Sequence, residues 1–162
     1  MRKLLLAACL AVLAAGALAQ SKPDKILYVY DEVNENSKPY IAYFEKALAA
    51  EGIAFDEAAA GKVGSLDVTK YRAVLVHAMV MAFAMKSPVR DWLKAEKRLE
   101  GERVALYVTA NRWSLDKLTK QLVDLAKKDK AEPVDALSTA TKPIDAAAKE
   151  AAVRSFVAKL KE

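Results

Sequence analysis

One cysteine and one histidine in 162 residues exclude several chemistries before any pattern is sought. The cysteine, Cys9, falls inside an apolar leader, so the chain beyond it has no thiol. Disulfides, thiolate metal sites and thiol catalysis are excluded, and stability must come from a packed core. With His77 as the lone histidine there is no second imidazole for a zinc site and no Cys–His pair, and no Gly-x-Ser-x-Gly elbow occurs. Carboxylates are plentiful but no spacing pairs two of them, so a hydrolase has no constellation to work with. A large field of one sign is missing as well. Basic residues are scattered along helix faces with acids among them, as in Lys94-Ala95-Glu96-Lys97-Arg98, which describes a solvated surface and no nucleic-acid groove.

The apolar run that is present is short. Arg2 and Lys3 precede residues 4–18, which carry no charge and end in Ala17-Leu18-Ala19 before Gln20. A positive start, an apolar stretch and a small-x-small site are the pattern of a cleavable secretory signal peptide over residues 1–19. Fifteen apolar residues fall short of the roughly 20 that span a bilayer, so no stable membrane anchor is expected after cleavage. Leu6-Ala7-Ala8-Cys9 has the form of a lipoprotein box, but a cut there would leave only residues 4–8 as the apolar segment, so Cys9 is read as part of the signal. Arg2-Lys3 is not a twin-arginine pair, which points to the general route, in which the chain crosses unfolded and without cofactor. The expected location is periplasmic or secreted. Cleavage leaves residues 20–162, a length suited to one domain, and lowers the formal charge from +5 to +3.

Within that domain two periodicities alternate. Residues 25–30 (KILYVY) form a β-branched and aromatic strand run. Ser37 and Pro39 look like an N-cap and first-turn proline for a helix carrying Ile41, Phe44 and Leu48, which Gly52 stops. Residues 53–57 suit a short second strand. Residues 73–77 (AVLVH) suit a central parallel strand covered on both faces. Ser87 and Pro88 open a helix with Val89, Trp92, Leu93 and Leu99 inward, and residues 104–108 are the next strand. Ser114 is placed to cap a helix striped by Leu115, Leu118, Leu122 and Leu125. A weak strand near residues 133–137 precedes a last helix with Ile144, Ala148, Ala152, Phe156 and Leu160 on one face. Strand and helix alternating in this way predict an α/β parallel sheet with helices on both sides.

In this order the chain resembles the flavodoxin-like family. The first strand and the loop at residues 31–37 sit where that family has its strand and phosphate-binding loop. Residues 67–76 (DVTKYRAVLV) are similar to its approach to the central strand, residues 88–93 (PVRDWL) to the helix that follows, and residues 102–109 (ERVALYVT) to its next strand. The resemblance implies a three-layer fold with a five-stranded parallel sheet in order 2-1-3-4-5, FMN as cofactor, electron transfer as activity, and a redox or envelope protein as partner.

The loops departing from the family pattern are those that would hold the flavin. A phosphate needs backbone N–H groups, hydroxyls and a helix N-terminus. Here Asn36 and Ser37 match the pattern and Asn34 can donate, but Glu35 replaces a glycine, and Asp31 and Glu32 stand where hydroxyls are expected. Each carboxylate would repel a phosphate by on the order of 1 kcal/mol. The same residues also read as an acidic loop with Ser37 capping its helix. His77 falls where the family has a small residue beside the ring, so its side chain would intrude on the flavin; it also reads as a hydrogen-bonded histidine at a strand end. Beyond it Met79, Met81, Phe83 and Met85 alternate with small residues, and Asn111 and Trp113 follow the next strand. The resemblance implies that Phe83 and Trp113 flank a ring; packing under a loop accounts for them equally. His77, Met79, Met81 and Met85 on one strand face would also suit Cu(I). Three functions follow: weak flavin or flat-aromatic binding at a remodelled edge, a cofactor-free interaction domain, or periplasmic Cu(I) binding.

Overall fold

The computed structural model describes residues 23–80, 87–140 and 145–161. The leader at residues 1–19, together with Met81, Phe83, Met85 and Ile144, lies outside the described residues.

Apolar runs without alternation make strands that must be covered on both faces. β1 (Lys25–Tyr30), β3 (Ala73–Val80) and β4 (Arg103–Ala110) are of this kind, and β3 is buried at every position. With β2 (Ala54–Ala59) and β5 (Glu132–Ala140) they form a five-stranded sheet in the order β2-β1-β3-β4-β5, every pair parallel. This is the order that the resemblance implies. β3 and β4 both run past their apolar segments, because the ladder between them continues to the pair Val80–Ala110 and keeps their backbone groups bonded.

Four helices cover the sheet: α1 (Lys38–Ala50), α2 (Pro88–Ala95), α3 (Leu115–Lys128) and α4 (Ala146–Ala158). Gly52 ends α1 with φ +66°, a conformation that suits glycine at a helix C-terminus. Ser87 caps α2 by accepting from the Arg90 N–H at 3.2 Å. Leu99 is buried but not on that helix. The Glu96 carboxylate accepts from the backbone N–H groups of Lys97 and Arg98 and from the Arg98 guanidinium, and these bonds replace the next helical turn. Ser114 does not cap α3 with its side chain; its hydroxyl donates to the Asn111 carbonyl instead. The buried stripe of α4 is Val153, Phe156 and Val157, continued by Leu160, while Ala148 is exposed. The larger side chains of that helix set which face turns inward.

Strand alternation divides the core. Leu27, Val29, Val76, Leu106 and Val108 face α2 and α3, whereas Ile26, Tyr28, Leu75 and Tyr107 face α1 and α4. The second layer is aromatic: Phe44 of α1 stands 5.0 Å from both the Tyr28 and Tyr107 rings, and Tyr107 lies 5.3 Å from Phe156 of α4, edge to face. Phe44 is fully buried, so Phe44→Ala is expected to cost about 3–5 kcal/mol in urea unfolding. A loss below about 1 kcal/mol would mean that this layer is not packed as described.

Candidate functional site

In an open parallel sheet a ligand sits beyond the carboxyl ends of the strands, where the strand order reverses. Here that point lies between β1 and β3, at the ends marked by Tyr30, Val80 and Ala110.

The β1 loop is closed on itself. Asn34 is the organising residue: its Oδ1 accepts from the backbone N–H of Asn36 at 2.9 Å and of Ser37 at 3.1 Å. Its carbonyl accepts from the Lys38 N–H at 2.9 Å, and its own N–H donates to Ser37 Oγ at 2.8 Å. The Ser37 hydroxyl points back into the loop and donates to the Glu32 carbonyl at 2.7 Å. Ser37 therefore makes no side-chain cap on α1, contrary to its sequence context, and the Asn34 carboxamide accepts only from N–H groups that precede the helix.

Asp31 is also placed differently from the sequence expectation. It is buried and turned away from the loop's outer face. Oδ2 accepts from the Met79 N–H at 2.7 Å, and Oδ1 accepts from the Val89 N–H at 2.8 Å and the Ser87 hydroxyl at 3.0 Å. Burial raises its carboxyl pKa above the ordinary value, against the lowering effect of its three donors. Of the loop's acids, Glu32 and Glu35 are the exposed ones, and Glu35 pairs with Lys38 at 2.7 Å. A flavin phosphate, which the resemblance implies for this loop, does not fit it. The N–H groups of Asn34, Asn36, Ser37 and Lys38 and the Ser37 hydroxyl are bonded within the loop, Pro39 has none to offer, and two carboxylates flank the outer face.

His77 does not intrude on a ring site. It is 1% exposed and its imidazole lies in the aromatic layer under α1, 5.3 Å from Phe44 and 5.5 Å from Tyr40 and Tyr107. One ring nitrogen shares a hydrogen bond with the Tyr28 hydroxyl at 3.2 Å and the other with Thr109 Oγ1 at 3.1 Å. A neutral imidazole, one nitrogen donating and the other accepting, satisfies both. Burial pushes its pKa down to about 3 and that of Tyr28 well up. With both nitrogens engaged, the copper reading loses its imidazole. Met79 is buried on the same face, in contact with the aromatic layer.

The β4 loop is the open one. Asn111 is half-buried, and its carbonyl accepts from the Ser114 N–H at 2.9 Å. Trp113 is 74% exposed and Val33, in the β1 loop, 56%; they are the large apolar side chains left in water among the described residues. Of the residues picked out by sequence, Asn34, Asn36 and Ser37 are thus brought together in one loop, Asn111 and Trp113 in another, and His77 and Met79 are withdrawn into the core. Asp31's part in joining β1 to β3 and α2 was missed. Nothing local in the sequence pairs it with residues 48 to 58 positions away.

No protein-family model and no curated protein matches the chain by sequence. Solved structures do match it by shape. A short-chain flavodoxin associated with a non-canonical PDU bacterial microcompartment superposes with a TM-score of 0.66 at 14% identity, over 85% of this chain and 96% of its own. A Streptococcus pneumonia flavodoxin gives 0.67 at 11% identity, over 85% and 97%. General stress protein 14 of Treponema denticola, solved in complex with FMN, gives 0.60 at 14% identity, over 86% and 98%. The fold is that of the flavodoxins. At these identities the likeness is one of fold, and the flavodoxin fold here carries a first loop bonded to itself and a tryptophan standing in solvent at the same end of the sheet.

Proposed function

We propose that this chain is an exported flavodoxin-fold binding domain that takes a flat aromatic ring at the carboxyl ends of β1, β3 and β4, with Trp113 as the stacking surface. The observation that carries the reading is Trp113 itself. The indole is 74% exposed at the carboxyl end of β4, the end of the sheet at which this fold binds ligands, and an aromatic side chain there suits a flat ring. The flavodoxin neighbours, one of them in complex with FMN, make a flavin ring the first ligand to try. When bound, such a ring would supply one- or two-electron transfer. Export rests on the leader at residues 1–19, and a periplasmic or secreted location on the same segment.

Riboflavin titrated into the mature protein is expected to quench tryptophan emission, since Trp113 is open and Trp92 is buried. Trp113→Ala is expected to weaken binding about tenfold, the value of one aromatic stack. Absence of any quenching at about 100 µM flavin would sink the ring reading.

A second reading has its own observation. Val33 is exposed at the same sheet end, and a ring stacked on Trp113 has no need of it. A cofactor-free interaction domain would bury both residues against an envelope protein. In that case Trp113→Asp and Val33→Asp would each abolish complex formation, while no flavin would change the emission.

A further inference from the structure

We propose that the carboxamide of Asn34 takes the place of a ligand phosphate in the β1 loop, so that this flavodoxin fold selects ring ligands without a phosphate over phosphorylated ones. The inference rests on the ring reading above for its choice of ligand, but the loop chemistry stands separately.

A phosphate bound at a loop-to-helix junction is held by successive backbone N–H groups, by a hydroxyl and by the positive end of the helix. All three are present here, and the N–H groups of Asn34, Asn36, Ser37 and Lys38 and the Ser37 hydroxyl are used internally. The Asn36 and Ser37 N–H groups converge on a single oxygen, Asn34 Oδ1, at 2.9 and 3.1 Å, the convergence that an anion's oxygen would ask for. The Lys38 N–H goes to the Asn34 carbonyl, and the Ser37 hydroxyl is held between the Asn34 N–H and the Glu32 carbonyl. Ser37 is buried by these bonds, so a phosphate would have to expel the Asn34 side chain and rotate the hydroxyl before gaining any contact. It would do so beside the exposed carboxylates of Glu32 and Glu35. A neutral ribityl chain or a bare ring meets neither cost, because it needs no convergent donors and is not repelled by acids.

The test compares riboflavin with FMN, which share a ring and differ by the phosphate. The wild-type protein is expected to bind FMN no more tightly than riboflavin. In the double variant Asn34→Ala/Glu35→Gly, which removes the internal acceptor and one acid, FMN affinity is expected to rise at least about tenfold over riboflavin, with riboflavin affinity within about threefold of wild type. A wild type that already prefers FMN about tenfold, or a variant whose preference is unchanged, overturns the inference and leaves the ring reading standing. A parallel arm needs no ring: 50 mM-scale inorganic phosphate, relative to chloride of equal ionic strength, is expected to raise the Tm of the double variant and leave wild type unmoved. If neither flavin binds either protein the ring reading fails, and this arm alone decides the role of Asn34. Asn34→Asp guards against a variant that does not fold, because it keeps the acceptor and adds charge at the helix N-terminus. It should fold and exclude FMN at least as well as wild type, and tighter FMN binding by it would count against the inference.

Discussion

Acidifying the protein from pH 7 to pH 5 is expected to remove about 1.9 kcal/mol of folding stability, and His77→Gln to abolish most of that loss. The folded imidazole resists protonation down to about 3, because it is enclosed by Tyr28, Tyr40, Phe44 and Tyr107 and desolvation penalises its charge. In the unfolded chain the same group protonates near 6.5. Between those values the unfolded state binds more protons, so stability rises with pH across the window and falls by up to about 1.4 kcal/mol per unit as pH drops through it. The charged groups nearest the cluster do not supply the effect. Lys149 stands outside the Tyr40 ring at 5.7 Å. Asp31 and Glu57 have raised pKa values, so the folded state takes up their protons first, and their contribution runs the other way, favouring the fold as pH falls. Asp56, Asp67, Glu96 and Glu150 have lowered values, and their stabilisation is lost only below the ordinary carboxylate range. Between pH 7 and 5 the one histidine of the chain is thus the group among these whose titration lowers stability. Glutamine can both donate and accept toward Tyr28 and Thr109 without titrating, so urea unfolding of the variant should give a nearly flat profile. An equal pH slope in wild type and variant would show that His77 is not held neutral by the core.

How far the sequence could be read follows the range of the interactions. Period and run length are local, so the five strands, their parallel sense and the positions of Ser87, Pro88 and Gly52 were legible, the strand order came with the family resemblance, and the structure adds length where a neighbouring ladder extends a strand. Capping by side chains was legible at Ser87, where serine directly precedes a proline-led helix, and misleading at Ser37, whose hydroxyl is drawn back to the Glu32 carbonyl and the Asn34 N–H. His77 shows the limit more sharply. Its place at a strand end was evident, but whether it faced the ligand edge or the core depended on Tyr28, Phe44 and Tyr107 arriving from three other elements. The acidic loop was read as one electrostatic unit, yet its first acid belongs to the interior and only the others to the surface.

That first acid gives the other large expected effect: Asp31→Ala should destabilise the protein by about 3 kcal/mol or more. Its carboxylate is the acceptor for two buried backbone donors, Met79 N–H and Val89 N–H, and for the Ser87 hydroxyl. Removing it leaves those groups desolvated without partners, at about 1–3 kcal/mol each where water cannot reach them. Part of the loss is offset, because a buried carboxylate whose pKa is already raised gives back its own desolvation cost when deleted. Asp31→Asn is not a mild substitute. It keeps one acceptor but turns an NH2 group toward a donor, either the Met79 N–H or the Val89–Ser87 pair, so it should recover less than half of the loss. The measurement is urea unfolding together with amide exchange at Met79 and Val89, and both amides should lose protection ahead of Val29 and Leu106 in the strand interiors. A cost below about 1 kcal/mol with unchanged exchange would mean that the three bonds are not formed in solution. The consequence for function is positional: Asp31 joins the end of β1 to β3 and to the start of α2, on either side of the segment from which sequence drew Phe83. Loosening it should therefore weaken any ligand held at the carboxyl ends of β1 and β3 even in molecules that remain folded, a loss of affinity that Phe44→Ala, in the layer under α1, should not reproduce.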